Sequence, residues 1–146
     1  MSRISTTHVL IGGVAAAVVL NACDFAVNNY VLADFWRHLG QTHNVDMFLM
    51  NGTSALVTFI TVDTALGFLL AWVYAAIRPR LGPGPSTAVI ASFVVYGVAA
   101  LQMATYGGWF IPWDLFIRSS ALSLVSFVAA GLAGAWVYKE EEPDTD

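Results

Sequence analysis

Asn21, Asp24 and Asn28 interrupt an otherwise apolar run at spacings of three and four residues. On a helix that spacing makes one polar stripe, and Asn29 lies beside it. Asp63 stands alone near the middle of a second apolar run, on a face shared with Leu56, Gly67, Leu70 and Tyr74. Arg118 lies about one turn into the last apolar run. A carboxylate at the centre of a bilayer costs about 2.5–3.5 kcal/mol on insertion scales. Such a group must face other helices, pair with a cation or take up a proton. The pattern predicts that Asp24 pairs with Arg118, with the asparagine amides on its remaining oxygens, and leaves Asp63 without a cation at its depth. Two roles fit these residues. One is a proton, cation or polar-solute site between helices. The other is a polar clamp that fixes helix packing, with bonds that average about 0.6 kcal/mol each in membranes.

The remaining candidates are weaker. His8 lies at one end of the first run, and His38 and His43 lie beyond its other end, so they cannot share a haem iron. His38, His43 and Asp46 could hold a surface metal, but solvated loop residues read the same way. Gly82-Pro-Gly-Pro-Ser-Thr lacks the lysine and the spacing of a phosphate loop. The single cysteine, Cys23, excludes an internal disulfide and a cysteine zinc site. No serine, histidine and acid gather on one side, so neither an enzyme nor a cofactor is expected.

The elements that carry these residues follow from composition. Of 146 residues, 58% are apolar and 11% charged, against roughly 25% charged in a soluble domain. Five of the ten acids fall in Glu140–Asp146, so the net charge of −4 says little about partners. No basic run exists, and nucleic acid is excluded as a partner. Four stretches reach the roughly 20 apolar residues that cross a bilayer: about 8–32, 48–77, 87–106 and 113–138. Backbone groups in lipid must bond internally, so all four are expected to be helices. The fold class is an all-α membrane protein of four transmembrane helices, in one domain with an acidic tail at 139–146. Arg78-Pro79 is expected to end the second span, and Ser86 or Thr87 to cap the third. Residues 33–47 form the longest polar loop, and 106–113 a short hairpin with aromatic residues at headgroup depth. Leu20-Asn21-Ala22-Cys23 has the look of a lipoprotein cleavage site, but apolar character continues through Leu32, and the segment is kept as a span. Arg3, Arg78, Arg80 and Lys139 fall on one side, Arg37 and Arg118 on the other. That bias places both termini in the cytoplasm.

The chain also repeats itself. Gly67-Phe-Leu-Leu-Ala-Trp-Val-Tyr74 and Gly131-Leu-Ala-Gly-Ala-Trp-Val-Tyr138 end in the same four residues. His8-Val-Leu-Ile-Gly-Gly and Thr87-Ala-Val-Ile-Ala-Ser are alike more weakly. Two tandem helical hairpins are expected, related by a pseudo-two-fold axis along the membrane normal. Gly12 with Ala16, Gly13 with Ala17 and Gly131 with Ala135 are small-residue pairs that let helices approach.

The junction Trp72-Val-Tyr-Ala-Ala-Ile-Arg-Pro-Arg-Leu-Gly-Pro-Gly-Pro-Ser-Thr-Ala-Val-Ile-Ala91, with Leu20-Asn21 and Leu32-Ala-Asp-Phe-Trp36, resembles an uncharacterised group of short four-span bacterial membrane proteins. That group carries a Tyr-Ala-Ala-Ile-Arg-Pro-Arg-x-Gly-Pro-Gly signature. The resemblance implies the topology and a bacterial inner membrane, and no activity. The expected function is therefore a non-catalytic accessory, scaffold or assembly subunit, with a membrane-protein partner or self-association. The alternative is a small proton- or cation-coupled transporter using Asp24, Asp63 and Arg118. Arg78 and Arg80, with the helix start at Ser86 and Thr87, are expected to hold an anionic lipid headgroup.

Overall fold

The computed structural model describes residues 4–43, 52–105 and 111–138. They form five α-helices: α1 (Thr6–Ala26), α2 (Ala33–His43), α3 (Thr53–Leu81), α4 (Pro85–Ala104) and α5 (Trp113–Val137). A π-helical turn, Val27–Val31, extends α1. Four of these helices, Thr6–Val31, α3, α4 and α5, are long and apolar enough to cross a membrane. The molecule is an all-α, multi-pass membrane protein. Residues 48–51 of the expected second span, Asp46, the 106–110 part of the second hairpin, Arg3, Lys139 and the acidic tail lie outside the described residues.

Three local expectations are corrected. First, α3 does not stop before Pro79; it runs through it to Leu81. Proline costs a helix one hydrogen bond and a clash one turn back, and here that cost falls in the last turn, which Gly82 N–H closes on Arg78 O at 2.8 Å. Second, neither Ser86 nor Thr87 caps α4. Gly84 is the cap and Pro85 the first helical residue, where a missing N–H is harmless. The reversal is made by Gly82 at φ 83° and Gly84 at φ 124°, values that disfavour side chains. Third, Ala33–His43, read as polar loop, is a helix.

Packing is built on small residues. Helix α1 lies against both α3 and α5, α4 lies against the same two helices, and α3 and α5 also touch each other. Gly12 of α1 meets Gly134 of α5, where an added Cβ would lie 3.1 Å from the Gly134 carbonyl oxygen. One residue round the helix, Gly13 and Ala17 face α3. A Cβ on Gly67 would lie 2.5 Å from Ala17 N. Gly131 of α5 leaves no room beside the Ser92 hydroxyl of α4, which sits between the Ala88 and Phe127 carbonyls at 2.8 and 3.0 Å. Large apolar side chains such as Val18, Phe59, Val98 and Val125 point outward and are exposed, the arrangement expected where lipid, not water, surrounds the helices.

Burial is uneven along the helix axes. No residue of α1 beyond Leu20, of α3 before Gly67, or of α4 beyond Val95 is buried, and α5 buries none between Leu115 and Ser126. The half that carries the termini is tightly packed, and the half toward α2 is loose.

Candidate functional site

The acids lie where the tight half gives way to the loose half. Asp24 is one turn beyond Leu20, the last buried residue of α1, and Asp63 is one turn before Gly67, the first buried residue of α3. The two are close enough for their charges to repel. From α5 the Ser126 hydroxyl, which donates to Leu122 O at 3.3 Å, lies beside the Asp24 carboxyl group. From α4 the Tyr96 ring packs on Phe127 of α5 with 5.1 Å between centres, its hydroxyl beside Ser120 and Ser123. Each of the four long helices thus contributes oxygen-bearing side chains to one polar layer. Asp24 Oδ1 is buried without a hydrogen-bond partner among the described residues.

The expected Asp24–Arg118 pair does not form. Arg118 is exposed at the α2 end, with its guanidinium carbon 5.4 Å from the centre of the Phe35 ring. The one ion pair among the described residues is Asp34–Arg37, within α2 at 2.6 Å. The asparagines do not serve Asp24 either. Asn21 Nδ2 donates to Ala17 O at 2.9 Å and lies 3.5 Å from Thr64 Oγ1 of α3. Asn28 Nδ2 donates to Asp24 O at 2.8 Å, and Asn29 Nδ2 to Phe25 O at 2.9 Å. A carbonyl one turn back is the nearest acceptor a helical amide can reach, so local geometry wins over the carboxylate. Both amides lie on the π turn, where Leu32 N–H bonds to Val27 O, five residues back, at 2.8 Å.

Tyr96, Ser120, Ser123 and Ser126 escaped the sequence reading. Their signal was present in α5, where Ser120, Ser123 and Ser126 recur every third residue. Leu56, grouped with Asp63 on one face, is exposed, whereas Gly67, Leu70 and Tyr74 are buried.

A second cluster closes the terminal end. His8 Nδ1 is 2.7 Å from Ser5 Oγ. The His8 and Tyr138 rings meet edge to face at 5.9 Å, and the Tyr138 and Tyr74 rings do so at 5.6 Å. Arg78 stacks over Tyr138 at 5.6 Å. The Tyr74 hydroxyl accepts from Gly84 N–H at 3.2 Å. Thr87 is buried and donates to Gly82 O at 2.7 Å, so its hydroxyl is engaged within the turn. Arg80 and Ser86 are exposed. A cleft of about 610 Å³ opens beside them, with Tyr74, Pro83, Pro85, Trp136 and Tyr138 in its walls. His38 lies on α2, at the opposite end from His8, and no three metal-ligating side chains come together among the described residues.

No family model, curated protein or solved structure matches the chain.

Proposed function

We propose that the chain is a small carrier that binds a proton or a cation at Asp24 and Asp63, within a bacterial inner membrane. The carrying observation is the buried, unpartnered Asp24 Oδ1, beside a second acid and a set of hydroxyls from two further helices. A buried polar atom without a protein partner is suited to hold a proton, water or ion, and an intramembrane acid is a functional candidate by default. The small-residue faces, which would otherwise favour self-association, are consumed in packing α1 on α3 and α5.

The same reading includes a duplicated hairpin. Gly67 and Gly131, equivalent in the repeat, each sit at the tightest crossing of their own hairpin, α1 on α3 and α4 on α5. Tyr74 reaches the start of α4, and Tyr138 lies against the start of α1. Each repeat's last tyrosine thus lies by the other repeat's first helix, which supports reading the hairpins as related by a pseudo-two-fold axis. The reading also places both termini in the cytoplasm, from the lysine and arginine bias, and an anionic lipid headgroup at Arg78 and Arg80.

Reconstitution into vesicles loaded with a pH dye, under imposed proton, sodium and potassium gradients, tests the carrier. The parent is expected to conduct or exchange one of these ions. Asp24→Asn and Asp63→Asn are expected to lose tenfold or more of that flux at unchanged melting temperature. Equal flux in the parent and both variants, or none of the three ions carried, overturns it.

A second reading, an accessory or assembly subunit, draws on one observation. Between Thr53 and Leu66, no residue of α3 is fully buried against its own chain, and a partner helix could cover the exposed face of that length. A monodisperse monomer with no copurifying protein from native membranes removes this reading.

A further inference from the structure

We propose that α2 is a hinged gate over the polar layer, opening and closing the route from the loop end to Asp24 and Asp63. This inference rests on the carrier reading and adds its access route.

The hinge is the π turn. Regular α-helix ends at Ala26, Val27–Val31 is wound more widely, and Leu32 leaves helical geometry at φ −103°, ψ 3°. Leu32 is itself buried, 2% exposed, and Trp36 N–H bonds back to Leu32 O at 3.0 Å. The chain thus changes direction about a fixed residue, and α2 begins immediately after it. Wide turns of this kind break the regular ladder and recur at functional sites.

The latch is a two-bond relay. Trp36 of α2 donates from Nε1 to Asn28 Oδ1 at 3.0 Å, and Asn28 Nδ2 donates to the backbone carbonyl of Asp24 at 2.8 Å. One amide therefore joins α2 to the turn that carries the acid. Across the mouth, the Phe35 ring lies against the Arg118 guanidinium of α5. Both contacts are of the weak, reversible kind, a neutral hydrogen bond and an exposed cation–π stack.

The rest of α2 is lightly held. Gly40 is its one buried residue among those described. A cleft of about 270 Å³ separates Phe35, His38 and Leu39 from Pro112, Asp114 and Leu115 at the start of α5. Its charged pair, Asp34 and Arg37, has side chains 90% and 66% exposed. An element with few buried contacts opens at low cost. Through Trp36 on Asn28 of the π turn and Phe35 on Arg118 of α5, α2 bridges two of the long helices on the loose side of the acids, and the proposed opening releases that bridge.

Thiol accessibility tests the gate. In the full chain with Cys23→Ala, Ser123→Cys places a probe in the polar layer. A charged, membrane-impermeant methanethiosulfonate is applied from the α2 side of sealed vesicles. Slow labelling is expected in this background. Labelling at least tenfold faster is expected with Trp36→Phe, which keeps the ring and removes the donor, and with Asn28→Ala, which removes the acceptor. Unchanged helicity and melting temperature show that the variants fold, and the two act on opposite partners of one bond, so loss of either variant leaves the other. Equal rates with and without the latch substitutions overturn the gate, as does no labelling in any of them. Ion flux separates the two proposals. Flux that depends on the acids together with equal labelling rates removes the gate alone. Faster labelling in the latch variants with no flux for any ion removes the carrier alone.

Discussion

Glycine at 67 is needed for distance, not for conformation. Its Cα faces the backbone of α1, and a methyl group there would lie 2.5 Å from Ala17 N and 2.6 Å from Ala17 Cα. Backbone cannot swing aside as a side chain can, so Gly67→Ala must push α1 from α3. Overpacking of this kind costs about 1–3 kcal/mol. Gly97 supplies the control, since nothing lies within 4 Å of its added Cβ. Gly97→Ala is expected to be neutral or to gain up to about 1 kcal/mol from helix propensity. Thermal unfolding in one mild detergent checks both, with a clear drop for the first and none for the second. At the same scale, Ser92→Ala removes the hydroxyl that sits between two carbonyls, and a loss of about 0.5–1.5 kcal/mol is expected from one hydrogen bond. A melting temperature equal to the parent's would show that the α4–α5 contact does not depend on it.

The turn between α3 and α4 combines stiffness with positive charge. Pro79, Pro83 and Pro85 bracket two glycines in left-handed or extended geometry, so little entropy remains to be lost when a ligand docks. Arg78 is held by its stack on Tyr138 while Arg80 stays exposed. An anionic headgroup at this corner would be gripped by planar guanidinium forks, which lysine cannot reproduce. Replacing both arginines by lysine keeps the charge. The expected outcome is loss of a copurifying anionic lipid, read by native mass spectrometry, with loss of its stabilising effect on melting. The same lipid retained at the same stoichiometry would leave the arginines as topology signals only.

Across the whole molecule, the near coincidence of His8 with Tyr138 and of Gly12 with Gly134 brings the start of α1 and the end of α5 to one end. Arg78 and Arg80 lie at that end, while Arg37 and Arg118 lie at the other. With Arg3 and Lys139 counted at the terminal end from the sequence, the lysine and arginine bias supports the proposal that this end is cytoplasmic. A green fluorescent protein fused after the tail is expected to fluoresce, and alkaline phosphatase fused at the same point to be inactive. The opposite pair of results would invert the orientation, and with it the side from which α2 gates the polar layer.

The number and approximate limits of the four long apolar helices were legible in the sequence alone, because crossing a bilayer is a one-dimensional requirement on length and apolarity. The acids were legible as outliers for the same reason: any carboxylate in such a run stands out against its cost. Partners were not legible. Helices apolar on every side carry no amphipathic stripe to fix which face turns inward, so neither the depth nor the rotation of one helix against another can be read from spacing. Asp24 and Arg118 matched in charge and rough depth, yet Arg118 turned to Phe35, while Ser126, which carries no charge to attract notice, lies beside the acid. The pairs Gly12–Ala16 and Gly13–Ala17 read alike in the sequence, and the fold sent the first to α5 and the second to α3. The helix at Ala33–His43 was hidden by its polar composition, since hydropathy registers lipid contact and not hydrogen bonding. Those choices are three-dimensional: they follow from how closely small residues let backbones approach, and only the packed helices decide that.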